Sequence, residues 1–378
     1  MKIAAVVCEY HPFHNGHAWQ LAAARSALGC DAIVGIMSGN FVQRGEPALF
    51  PKQVRAKAAL QNGMDLVLEL PAILTLQSAE RYARNAVMTL DAMGCVDTLF
   101  FGAECPDTSL LTAIAQVLAD EDIQFRRQLQ TELSAGTSFA VARANAVKAV
   151  LGPASAEILS HPNNILAVEY IKALLRLGSN IKPYAIKRKD AQHHDSAPSG
   201  VFASGSTIRQ MLYQGEDPFA LIPENTRVLI ANSPRFSDKD FELASHASLC
   251  LKTPETLRQI ADVAEGLEYA LLKSSYSSQT LAQTIEQVKS KRYAYSRIRR
   301  ILLNSYLGIT QKDTDLLPEY IRILDFNDVG RQVLNHAKNT ARLPLAKNGG
   351  QVKDIPKALA LWQRELALDK VYQLFLRN

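Results

Sequence analysis

Neither GxxxxGK(S/T) nor GxGxxG occurs in the 378 residues, which excludes the P-loop and the common dinucleotide turn. Cysteine is scarce. Cys8, Cys30, Cys95, Cys105 and Cys250 are odd in number and show no CxxC spacing. That argues against a disulfide framework and for packed thiols in a reduced, cytoplasmic protein. No uncharged apolar run is long enough to span a membrane. Met1-Lys2-Ile3 leads straight into an apolar strand pattern, without a secretory segment. Internal repeats and low-complexity tracts are absent, and a net charge of +5 is too small to imply a partner. With 47% hydrophobic residues over 378 positions, two domains with sizeable cores are expected.

The informative residues are seven in a row, His11-Pro12-Phe13-His14-Asn15-Gly16-His17. Residues 3–7 before them read as a buried strand, and the Ala- and Leu-rich run at 18–28 reads as a helix. A helix start at such a corner presents unpaired N–H groups and the positive end of the dipole, which suit phosphate. Imidazoles at i, i+3 and i+6 can donate to charge that grows on phosphorus. Gly16 allows a large ligand close to the backbone. A lone His-x-x-His is usually ordinary structure. The strand before, the helix after and the third histidine favour a nucleotide site.

Strand patterns recur at 31–37, 65–70, 95–101 and 181–186, with helical patterns from about 51 and at 78–93, 107–150 and 163–177. Short apolar strands separated by helices imply a parallel sheet covered on both faces, a Rossmann-like α/β domain. Ligands bind such sheets at the carboxyl ends of the strands. The 11–17 corner, the loop at 38–47, Gly102 and Arg188 all fall at such ends. Beyond about residue 225 the pattern is mainly helical. The expected division is a Rossmann-like domain over 1–230 followed by a mainly α-helical domain over 231–378.

His14 and Asn15-Gly16-His17 resemble the HxGH signature of the nucleotidyltransferase superfamily. Ala203-Ser204-Gly205-Ser206-Thr207-Ile208-Arg209 resembles the ISSTxIR element that closes over phosphates there, although its serine order differs from the common wording. Hydroxyls at a helix start with an Arg fork make a second anion clamp; alone, they are equally an ordinary capped helix. The stretches 9–17, 37–47, 100–104 and 162–166 narrow the likeness to the bacterial tRNA(Met) cytidine acetate ligases, and 291–300 extends it into the helical half.

That resemblance implies a reaction. Acetate attacks the α-phosphorus of ATP, giving acetyl-adenylate and pyrophosphate, and N4 of the wobble cytidine of elongator tRNA(Met) then takes the acetyl group and releases AMP. It implies catalytic roles for His14 and His17. It implies ATP contacts along Val7, Cys8, Glu9, Tyr10, His11, Pro12, Phe13, His14, Asn15, Gly16 and His17, and at Gly102, Asn163, Asn164, Arg188, Ser206 and Thr207. For Arg188 a plain ion pair with Asp190 or Asp195 is the alternative. Arg44, in a glycine-flanked loop, is a candidate for acetate or phosphate, or a solvated loop charge. Magnesium is expected to arrive on ATP. No resident metal is expected, and His193-His194-Asp195 reads as a loop hydrogen-bond cluster.

RNA contact rests on residues 289–300, six of twelve of which are basic: Lys289, Lys291, Arg292, Arg297, Arg299 and Arg300. As a helix, Tyr295, Ile298 and Leu302 form the buried stripe and the basic residues face phosphates. Tyr293 is placed to stack on a splayed base. A charge run is more often a solvated face; the family resemblance favours tRNA. Rival readings are a small-molecule adenylyltransferase with the same histidine site and a non-catalytic factor that keeps ATP as a structural ligand.

Overall fold

Ile3–Cys8 (β1) sends Ile3 and Ala5 into one core and Ala4, Val6 and Cys8 into another, because successive strand side chains point to opposite faces. A strand apolar at every position is thereby buried on both sides. The computed structural model describes residues 1–189, 200–264, 266–290 and 293–377. Asp190, Asp195, the two histidines at 193–194, Lys291 and Arg292 lie outside them.

Ala32–Ser38 (β2) runs parallel to β1, in register from Ile3 opposite Ala32 to Cys8 opposite Met37. Leu66–Leu70 (β3) is parallel to β2. Thr98–Ala103 (β4) pairs with the other edge of β1, and Lys182–Lys187 (β5) pairs with β4, both parallel. The strand order therefore reverses at β1. The connections after β1 and β4 leave in opposite directions and open a crevice at the carboxyl ends. Asn15–Leu28 (α1) leaves β1, Lys52–Gln61 (α2) precedes β3, Ala79–Ala92 (α3) precedes β4, and Pro162–Leu177 (α4) precedes β5.

The stretch expected to be helical returns to this sheet. Ile321–Phe326 (β6) lies antiparallel to β3, and Leu345–Ala346 (β7) is parallel to β6. The sheet thus has seven strands in the order β7-β6-β3-β2-β1-β4-β5. Charged residues at Arg322 and Asp325 hid β6 from its hydrophobic pattern. A separate helical core, with Leu257, Leu267, Leu271, Ile298 and Ile301 at its centre, lies between the two visits to the sheet. A division at residue 230 therefore does not follow the sheet, whose last two strands come from the C-terminal stretch. No described helix is long and apolar enough to cross a membrane.

The late strand is tied in by buried charge. Lys52 Nζ lies 2.6 Å from Glu69 Oε1 and 2.5 Å from Asp369 Oδ2, and Arg322 Nε lies 3.0 Å from Glu69 Oε2. Asp369 and Glu365 come from Pro356–Leu374 (α5). The three carboxylates share one small volume, and Lys52 and Arg322 already supply its cations. Three carboxylates face two cations, an excess of one negative charge that burial opposes. Burial, then Glu69, pushes the Glu365 carboxyl well above its ordinary range, and Glu365 is the protonated member. Glu365→Gln is expected to change unfolding free energy by no more than about 1 kcal/mol. Lys52→Met, which strands two buried carboxylates, costs roughly 3–5 kcal/mol. Urea unfolding at pH 7 distinguishes the two; equal losses would place the proton elsewhere.

Candidate nucleotide site

The corner after β1 is built by capping. Tyr10 adopts φ 48°, a left-handed conformation that turns the chain sharply off the strand. His14 is the N-cap of α1: its Nδ1 accepts from Gly16 N at 3.1 Å, while His14 N donates to His17 Nδ1 at 3.3 Å. A Cβ on Gly16 would sit 2.9 Å from the His14 ring. Gly16 therefore makes room for the capping imidazole itself. The two rings stack with centroids 3.7 Å apart.

This fixes the protonation state. A backbone N–H can only donate, so each Nδ1 keeps its lone pair and each neutral ring carries its proton on Nε2. Burial, and then Arg188, holds His14 down to about 3. Burial, followed by His14 and Arg188, keeps His17 well below its usual value. The pair is two neutral donors at a helix N-terminus. His11 differs: its Nδ1 accepts from Leu49 N at 3.1 Å and its Nε2 faces Glu46 Oε2 at 3.5 Å. Burial, then Arg209, lowers it to about 3. Both of its ring nitrogens are occupied, so of the three expected phosphate donors two remain.

These residues line a cleft of about 320 Å³ with Val7, Cys8, Glu9, Tyr10, Arg44, Gly102, Asn163, Arg188 and Ser206. Arg188 follows β5 and stands half-buried at the cleft. Among the described residues its guanidinium has no carboxylate within salt-bridge distance, although Glu104 acts on it through space. Asn163 is held by Glu104, Nδ2 to Oε1 at 2.6 Å.

Other expected contacts turn away. Asn164 is buried, accepting from Cys105 N at 2.9 Å and donating to Ile158 O at 3.2 Å. Asn15 Nδ2 donates to Val201 O and Ala220 O. Phe13 is buried against Tyr10 and His17, and Pro12 is buried beside it. Thr207 is buried under Ser204, the N-cap of Gly205–Gln214, with Ser204 Oγ 2.7 Å from Ser206 Oγ and 2.8 Å from Thr207 Oγ1.

Two buried or half-buried arginines, Arg209 of the expected anion clamp and Arg55, hold the site together. Arg209 Nη1 donates to His11 O at 2.7 Å and Nη2 to Glu46 Oε2 at 3.0 Å. Arg55, fully buried, donates to Glu9 O at 2.6 Å, Phe50 O at 3.0 Å, Ser38 O at 3.2 Å and Gly39 O. Arg209 stood in the quoted ISSTxIR-like element, which was the available signal; nothing in the sequence marked Arg55. Glu46 also takes Arg299 Nη1 at 2.5 Å. It sits in the hairpin Phe41–Val42/Glu46–Pro47. Gly45, at φ +81°, lets the helix Tyr295–Leu307 (α6) press against that hairpin: a Cβ there would lie 2.5 Å from Arg300 N.

On α6, Ile298 and Leu302 are buried as expected, but Tyr295 is 41% exposed. Arg300 is buried and paired with Asp262 at 3.1 Å, and Arg297 donates to the Asp262 carbonyl at 3.1 Å. Lys289 is exposed. The basic run is thus partly inward-facing.

The HIGH Nucleotidyl Transferase family model matches residues 1–378. The tRNA(Met) cytidine acetate ligase of Thermoanaerobacter sp. (strain X514) is 38% identical over 387 residues, covering 100% of this chain and 96% of the relative. The chain belongs to the tRNA(Met) cytidine acetate ligase family. Its namesake from Halothermothrix orenii is 39% identical, covering 91% of this chain and 86% of that one. Thermotoga maritima TmcAL has the same fold in its apo form, with a TM-score of 0.95 at 32% identity, over 100% of this chain and 96% of that one. The same protein bound with alpha-thio ATP gives 0.92 at 31% identity, over 100% and 95%.

Keeping histidines neutral makes folding pH-dependent. His14 titrates near 6.5 when unfolded and at about 3 when folded. The unfolded chain binds the extra proton, so this stability is full above 6.5 and is lost as pH falls toward 3. By pH 5 the loss from one such ring is about 2 kcal/mol. His14→Asn keeps a capping acceptor and should shrink the pH 7 to pH 5 drop in unfolding free energy by that amount. An unchanged drop would mean that His14 is protonated in the fold.

Proposed function

We propose that this protein joins acetate to N4 of the wobble cytidine of elongator tRNA(Met), consuming ATP and releasing pyrophosphate and AMP. One observation carries the reading: a half-buried Arg188, without a carboxylate partner among the described residues, faces two imidazoles whose free N–H groups sit at a helix N-terminus. Such a set is complementary to a polyphosphate. The names of the relatives support the substrates, and the nucleotide bound in the Thermotoga protein supports ATP.

In the first step an acetate oxygen attacks the α-phosphorus of ATP and the bond to pyrophosphate breaks. The Nε2–H groups of His14 and His17 donate to the oxygens on which charge accumulates, and Arg188 neutralises the phosphates. Neutral imidazoles suit this task, since no proton has to move. Gly102 and Asn163 border the cleft where the nucleoside would lie. Ser206 and Arg209 face the phosphates from the second helix start. Glu9 and Glu46 are the carboxylates among the described residues lining the cleft. Glu46 is engaged by Arg209 and Arg299, so the donor set suits magnesium carried on ATP's phosphates.

Transfer to RNA would engage the segment before α6 through the exposed Lys289, with Arg297 and Arg299 at the edge of that surface and already bonded to the Asp262 carbonyl and Glu46. The decisive experiment is incubation with labelled acetate, ATP and unmodified tRNA, followed by nucleoside analysis. Labelled N4-acetylcytidine is the expected product. AMP retained on a product would indicate an adenylyltransferase, and ATP binding without acetate-dependent turnover a non-catalytic factor. His14→Ala should suppress acetate-dependent pyrophosphate exchange while tRNA affinity stays within about twofold. Lys289→Ala should weaken tRNA binding and reduce the slope of log Kd against log salt by about 1. Arg300→Ala, by contrast, should act chiefly on thermal stability, because its partner Asp262 is internal.

A further inference from the structure

Acetyl transfer releases a proton from the attacking amine, and the cleft must contain a group able to take it. His14 and His17 are unsuited: each Nδ1 already accepts a backbone N–H, and each Nε2 carries the proton offered to phosphate. His11 has both nitrogens occupied. Arg209 and Arg299 saturate Glu46. Cys8 and Tyr10 are buried, and Arg44, Arg188 and Arg209 are cations. Glu9 remains.

Glu9 is half-buried at the end of β1 and lines the cleft. Its Oε1 accepts from Gln43 N at 2.7 Å and from Ser38 Oγ at 3.3 Å. Its Oε2 has no hydrogen-bond partner among the described residues. One oxygen is thus pinned and the other is left for a ligand. A carboxylate oxygen there is an acceptor, whereas acetate and triphosphate call for donors. It also stands on the appropriate side. Gln43 belongs to the hairpin whose Glu46 holds Arg299 of α6, so a nucleoside delivered by the helical half reaches the cleft beside Glu9.

We infer that Glu9 is the general base of the second half-reaction, accepting on Oε2 the proton that N4 of cytidine loses as it attacks the acetyl carbon. The N–C bond forms, the bond between the acetyl carbon and the AMP oxygen breaks with its electron pair leaving on AMP, and the proton ends on Glu9. This role rests on the proposed ligase reading. Burial raises the carboxyl's affinity for a proton, while the Gln43 N–H, Arg44 and Arg55 oppose that rise and Glu46 adds to it. Cys8, Tyr82 and Tyr170 are the other titratable groups close enough to interact with it. All three are pushed upward and stay neutral near pH 7.

The test separates the half-reactions. Glu9→Gln is isosteric and keeps an acceptor for Ser38 and Gln43. Single-turnover transfer to tRNA should fall roughly 10²-fold or more beyond whatever acetate-dependent ATP–pyrophosphate exchange loses. The acidic limb of the transfer rate against pH should also vanish in the variant. Transfer within threefold of wild type, or an equal loss of both half-reactions, would overturn the assignment. Ser38→Ala provides the structural control: it removes a pinning bond but leaves the base, so its pH profile should keep the limb. If the wild-type protein shows no acetate-dependent exchange at all, the ligase reading fails, and that outcome is distinct from a failure of Glu9 alone.

Discussion

Two backbone N–H groups at the start of α1 govern the chemistry of the cleft. By donating to the Nδ1 atoms of His14 and His17 they set both tautomers, stack both rings and leave both Nε2–H groups pointing outward. An imidazole used this way stays a neutral donor near pH 7, because desolvation opposes its protonation. The donor wall of the site follows from that single capping arrangement, while Gln43 N and Ser38 Oγ pin one oxygen of Glu9 on the other wall.

The rest of the site is held by buried cations. Arg55 ties the carbonyls of Ser38, Gly39 and Phe50 to that of Glu9, and Arg209 joins the 11–17 corner to the 41–47 hairpin. Glu46 is the common partner, taking His11, Arg209 and Arg299. One carboxylate thereby links the histidine corner, the second helix start and the helical half. Against burial, the His11 hydrogen bond and then Arg299 and Arg209 hold the Glu46 carboxyl below the ordinary range.

Much of this was legible in the chain. The strands around β1 are apolar at every position because they are buried on both faces, and residues 11–17 state their chemistry through residue type and spacing. What escaped has specific causes. Asn163 and Asn164 are adjacent and chemically identical, and only the helix turn sends one to the cleft and the other to Cys105 and Ile158. Arg300 reads as a phosphate contact until Asp262, distant in sequence, takes it. Strand β6 was concealed by Arg322, a residue that tolerates burial only because Glu69 and Asp369 meet it there.

The sequence by itself determined the histidine-capped corner between strand and helix, the parallel sheet that presents it and the family to which both belong, since these depend on local periodicity and on short contiguous patterns. Tertiary structure alone decided which basic and polar side chains are free. Charge pairing and burial are set by neighbours hundreds of residues apart, and no pattern along one stretch of chain can encode where its partner will stand.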